Sequence, residues 1–78
     1  MNRESEIIKR IRRGDKGQFE SLFRSSYTSL VHYAKKLIKD SDTAEEIVQD
    51  LFVRLWQDKE KIRIQSSLNG YLFRSVHN

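Results

Sequence analysis

Cysteine and proline are missing from the 78 residues, and glycine occurs only three times. Without cysteine there is no disulfide framework and no thiolate zinc site, which fits a reducing cytoplasm. Without proline, and with so few glycines, little interrupts a helix, and the turn-rich pattern of a small all-β fold is not there. Long apolar runs are missing as well. The opening MNRESEIIKRIRRGD carries neither a signal peptide nor a membrane span, so no membrane partner is expected. Catalytic groupings are equally scarce. His32 falls inside a long helical pattern and His77 near the end, with no carboxylate or nucleophile at a spacing that links them, and no HExxH, P-loop or GxGxxG occurs. Glu45 and Glu46 are adjacent, so on a helix they point about 100° apart and cannot share a proton. Neither enzyme activity nor a metal site nor a cofactor is expected.

Charge is what the chain has in quantity. Charged residues make up 33% and apolar ones 37%, a balance that suits one small globular domain rather than a disordered segment. At this length a single core is only marginally stable. The net charge of +4 and pI near 9.6 permit binding to nucleic acid or anionic lipid without selecting either. The distribution is more informative. Lys9, Arg10, Arg12 and Arg13 crowd the start, whereas Asp40, Asp42, Glu45, Glu46 and Asp50 crowd the middle. A basic end and an acidic face suit two partners of opposite sign; a solvated charged surface is the plain alternative.

The apolar spacing predicts an all-α bundle of about four helices joined by short loops. Ile7, Ile8 and Ile11 mark the first, with Gly14 as its stop. Asp15 and Gln18 have the form of a capping box opening a second helix, whose buried stripe is Phe19, Leu22, Phe23, Tyr27, Leu30, Ala34, Leu37 and Ile38. Asp42 with Glu45 reads as a second capping box, ahead of a third helix with Ala44, Ile47, Val48, Leu51, Phe52, Leu55 and Trp56 on its apolar side. The polar stretch from Gln57 to Ser67 reads as a loop with a short turn, and Ser66 or Ser67 caps a fourth helix through Leu68, Tyr71, Leu72 and Val76.

Two regions carry recognition chemistry. On the third helix Glu46 and Asp50 are four residues apart and repel by ~0.2–0.5 kcal/mol. The helix N-terminus explains acids at Asp42 and Glu45, but not the outward Glu46, Gln49 and Asp50. Arg54 supplies an ordinary ion pair to Asp50. Such a face suits a partner rich in Arg or Lys. The loop and fourth helix combine Arg63, Gln65, Ser66, Asn69, Tyr71, Phe73, Arg74, His77 and Asn78. Arginine pairs with phosphate, Asn and Gln read base edges, and aromatics stack on unpaired bases, which is the equipment of a single-strand reader. Tyr71 and Phe73 cannot both face the same way on a helix, so at least one belongs to the core. Trp56, by its place on the apolar stripe, reads as a core anchor rather than a stacking platform.

These residues resemble a known family. The run Asp42-Thr43-Ala44-Glu45-Glu46-Ile47-Val48-Gln49-Asp50-Leu51-Phe52-Val53-Arg54-Leu55-Trp56 is similar to the region 2.2 segment of extracytoplasmic-function sigma factors, the small members of the sigma-70 superfamily. The stretch from Ser67 to Asn78, SLNGYLFRSVHN, looks like the start of their region 2.3–2.4 helix. Gly14-Asp15 followed by Phe19-Glu20-Ser21-Leu22-Phe23 and Tyr27 resembles their opening segment. The resemblance implies a cytoplasmic transcription initiation domain with two surfaces. Glu46, Gln49, Asp50 and Arg54 would dock on the β′ clamp helices of the RNA polymerase core. The loop from Lys61 to Ser67, containing Arg63, Gln65 and Ser66, would face the promoter −10 element together with Asn69, Arg74, His77 and Asn78. They would hold the single-stranded non-template strand, so that melting is stabilised by capture of an extruded base. An anti-sigma factor is a further expected partner. Family members commonly carry Arg where His77 stands, and His77 is the weaker phosphate ligand at neutral pH. Their helix also continues into a basic segment followed by a second domain, region 4. Residues 1–78 are therefore expected to be a region 2 domain cut short at its C-terminal end, without region 4. The alternatives are a helical adaptor with no nucleic-acid role, and an independent helix-turn-helix binder, for which no short two-helix unit with a turn glycine stands out.

Overall fold

The computed structural model describes residues 3–64 and 67–77, in the order α1 (Arg3–Arg12), α2 (Lys16–Ile38), α3 (Ser41–Gln57), a 3-10 turn (Lys59–Lys61) and α4 (Leu68–His77). No strand occurs among the described residues. The fold is an all-α bundle, as the spacing predicts.

Each helix boundary has a local cause. Gly14, at φ +89°, ends α1: its N–H donates to the Ile11 carbonyl at 2.9 Å, while the Asp15 N–H reaches the Arg10 carbonyl at 3.0 Å. This pair of bonds closes a helix through a left-handed residue, a position glycine occupies without strain. Asp15 then opens α2, its Oδ1 accepting from the Gln18 N–H at 3.0 Å. At the far end of α2, Lys39 takes the left-handed conformation at φ 65° and donates to the Lys35 carbonyl at 2.8 Å. The chain turns directly into α3, so Asp40 is its N-cap and its carboxylate accepts from the Thr43 hydroxyl. The capping box expected at Asp42 and Glu45 is thus displaced: Asp42 already lies in the first turn. Of the two serines before α4, Ser67 caps, its Oγ accepting from the Gly70 N–H at 2.9 Å. Ser66 lies outside the described residues.

The core draws on every helix and on the loop. Ile11 comes from α1, Leu22, Leu30, Val31 and Ala34 from α2, Ala44, Val48, Phe52 and Leu55 from α3, Ile62 from the loop, and Leu68, Leu72 and Val76 from α4. An aromatic chain fastens α2 to α3. Phe19 lies 4.9 Å from Trp56 and Phe23 lies 4.9 Å from Phe52, centroid to centroid. Such pairs contribute about 0.5–1.5 kcal/mol each beyond their buried area. Trp56, which the apolar stripe assigns to the core as an anchor, is instead half-buried against Phe19, with Lys59 Nζ 4.3 Å from its ring centroid. Leu37 and Ile38, which the stripe assigns to the core, are instead 46% and 39% exposed. They are the last two residues of α2, at the turn through Lys39 where one helix ends and the next has only begun.

Candidate polymerase- and nucleic-acid-binding surfaces

On α3 the first set of residues stands in the open. Glu46, Gln49, Asp50 and Arg54 are all exposed. Asp50 Oδ2 meets Arg54 Nε at 3.0 Å, one turn apart. Both side chains are well solvated, so the pair contributes only ~0.3–0.5 kcal/mol and is readily exchanged for another partner. Gln49 is held differently: its Nε2 donates to the Tyr27 hydroxyl of α2 at 3.2 Å, which leaves its carbonyl oxygen to accept from outside. Between them lies Val53, 52% exposed and missed by the reading of the sequence. Its signal was present. Positions 46, 49, 50 and 53 follow the 3-4-7 spacing of a helix face, so the exposed valine stands on the same side of α3 as Glu46, Gln49 and Asp50.

The second set is more divided. Gln65, Ser66 and Asn78 lie outside the described residues. Arg63 is exposed, its Nη1 turned onto the carbonyl of Ile62 at 3.0 Å. On α4, Arg74 and His77 are exposed and share a face at i, i+3 spacing. Asn69, five positions before Arg74, points about 140° away from it, so these two cannot contact the same group. The two aromatics part company as expected. Phe73 packs edge-on against Tyr33 of α2, with centroids 5.1 Å apart. Tyr71 is half-buried and turns to the other side.

What Tyr71 faces is a groove of about 860 Å³ between α3, the 3-10 turn and α4. Asp50 and Arg54 line one part of it, and Lys61, Arg63, Tyr71 and Ser75 line others. The groove joins the acidic face of α3 to part of the strand-reading set; Asn69, Arg74 and His77 lie outside its lining. It combines cations with an aromatic ring, the composition that suits a phosphodiester strand with an unstacked base. Among the described residues no cluster of three His, Asp or Glu side chains could hold a metal ion, and no helix is long and apolar enough to cross a membrane.

The basic start of the chain is less available than its composition suggests. Arg10 pairs with Glu6 at 4.0 Å. Arg12 is half-buried and turns inward, donating from Nη2 to the Ile62 carbonyl at 2.6 Å. That contact spans 50 positions of sequence, so no local pattern announces it.

No curated protein and no solved structure matches the chain. A family model does: the one described as Sigma-70 region 2 matches residues 22–78, which takes in most of α2, all of α3, the loop and α4. The chain therefore belongs to the sigma-70 region 2 family, the part of a sigma factor that serves transcription initiation with the RNA polymerase core and promoter DNA.

Proposed function

We propose that this domain is the region 2 of an extracytoplasmic-function type sigma factor, a non-enzymatic cytoplasmic protein. In this reading the α3 face docks on the β′ clamp helices, and the groove with the loop and α4 holds the non-template strand of the −10 element. The observation that carries it is the stripe formed by Glu46, Gln49, Asp50 and Val53. Acids with no counter-charge beyond Arg54 among the described residues, an amide with its oxygen outward and an exposed valine together fit the side of a basic helical partner. The adjoining groove supports the second half, because a strand lying there would run beside Arg63 and Lys61 with Tyr71 as a stacking surface. Asp50 and Arg54 would then belong to both surfaces, and the melted strand would lie next to the polymerase. The loop residues Gln65 and Ser66 and the α4 residues Asn69, Arg74, His77 and Asn78 complete the proposed strand contacts, and an anti-sigma factor would compete for one of these surfaces.

The test is binding to a β′ clamp-helix fragment and to single-stranded DNA. Asp50→Lys reverses a charge against a basic partner and is expected to weaken fragment binding by about ten- to a hundredfold, equivalent to ~1.4–3 kcal/mol. Gln49→Ala should weaken it less. Strands selected from a random single-stranded pool should bind better than the same sequences as duplex. A helical adaptor would bind neither ligand, and unchanged fragment affinity in Asp50→Lys would remove the docking face.

A further inference from the structure

We propose that Arg12 of α1 is a positioning residue for the strand-binding loop, which makes α1 part of the promoter-reading apparatus. The proposal rests on the assignment of that loop to the −10 strand. It also reaches outside the family match, because α1 precedes residue 22.

The Ile62 carbonyl stands where the 3-10 turn ends and the loop toward α4 begins. Ile62 itself is buried, and its N–H is bonded back to the Lys59 carbonyl at 3.3 Å. Two guanidinium groups converge on its oxygen: Arg12 from α1 at 2.6 Å, and Arg63 from the next residue at 3.0 Å. A carbonyl has two lone pairs, so this acceptor is fully used. Arg12 reaches it at a cost. Its Nε is buried and has no hydrogen-bond partner, although exposed solvent would have satisfied that donor. A basic residue whose role was to meet phosphate from solvent would not be sunk in this way. The arrangement fixes the backbone at Ile62 and, through the shared oxygen, the direction from which the Arg63 guanidinium leaves the loop. Arg63 lines the groove, so α1 sets where one of the groove's cations stands.

The experiment compares the unaltered chain with Arg12→Gln and Arg12→Lys. Lysine keeps the charge, the aliphatic stem and one donor for the carbonyl, and guards against a variant that fails to fold. Three readouts are taken: amide exchange over residues 59–64, binding of the selected single-stranded DNA, and binding of the β′ clamp-helix fragment. A hydrogen bond from a charged donor is lost in Arg12→Gln, so exchange in the loop should accelerate about tenfold and strand binding should fall about five- to tenfold. Fragment binding should stay within about twofold, since Glu46, Gln49 and Val53 of the α3 face lie outside the groove lining. Arg12→Lys should recover most of both losses. Unchanged loop exchange in Arg12→Gln overturns the proposal, and so does an equal fall in strand and fragment binding, which would mean a general loss of fold. If the unaltered chain does not prefer single strands, the loop's assignment to the strand fails, and the tether itself stands or falls on the exchange data.

Discussion

At the residue scale, two left-handed positions separate a solved conformational problem from an unsolved one. Gly14 and Lys39 both end helices at positive φ, but only the first is glycine. A side chain at Gly14 would meet nothing closer than Lys59 Cε at 4.0 Å, so the penalty for Gly14→Ala is conformational rather than steric. We expect a loss of about 1 kcal/mol, which in a domain of this size lowers Tm by roughly 4–8 °C. Lys39→Gly runs the other way. Relief of left-handed strain, ~1–2 kcal/mol, exceeds the ~0.5–1 kcal/mol of added freedom in the unfolded chain. Thermal denaturation should show Lys39→Gly up to about 1 kcal/mol more stable, and a lower Tm would mean that the Lys39 side chain holds something the backbone geometry does not disclose.

At the element scale, α3 carries two faces that must be kept apart. Ala44, Val48, Phe52 and Leu55 are buried, while Glu46, Gln49, Asp50 and Val53 are exposed. Val53 tests this separation. Replacing it with Lys removes no core contact, so stability should change by no more than about 0.5 kcal/mol. Placed in the centre of a docking surface, the same change should weaken clamp-helix binding by about tenfold, or ~1.4 kcal/mol. Calorimetry for both quantities distinguishes the two effects, and a variant that loses stability without losing affinity would assign Val53 to the fold.

This scale also shows how far the sequence could be read. Helix periodicity and local stop signals are encoded within a few residues, so Gly14, Asp15, the number of helices and most core positions were legible. The start of α3 was not, because Lys39 adopts a conformation that lysine rarely signals, and the expected cap fell two residues late. Leu37 and Ile38 were misplaced for another reason: periodicity reports which side of a helix is apolar, not whether that side is still covered in the helix's last turn. The surfaces divide the same way. Glu46 and Asp50 could be picked out because charge without a structural motive is visible in one dimension, and Gln49 because it shares their helix face. The bond from Arg12 to Ile62 and the support of Gln49 by Tyr27 join separate elements and become visible only in the fold.

At the scale of the whole molecule, length works against stability. The bundle measures 37 × 22 × 20 Å. Its buried residues are wholly apolar among those described, and they are few. A domain with so small a core gains noticeably from any ligand that binds only its folded state. Clamp-helix fragment at about a hundredfold over its Kd should add ~2.7 kcal/mol, and hence raise Tm by roughly 10–20 °C. Single-stranded DNA should act in the same direction with a different dependence on salt. Among the exposed cations, Arg54 is already paired with Asp50; if Lys61 and Arg63 of the groove and Arg74 of α4 each neutralise one phosphate of a single strand, the log–log salt slope is near −2. Docking through a face with Val53 at its centre releases fewer ions, so its slope should be shallower. Measured across one salt series, the two ligands should therefore stabilise the chain comparably at low salt and diverge as salt rises, with the polymerase fragment keeping its effect and the strand losing it. Parallel loss of both would mean that charge alone holds the α3 face to its partner.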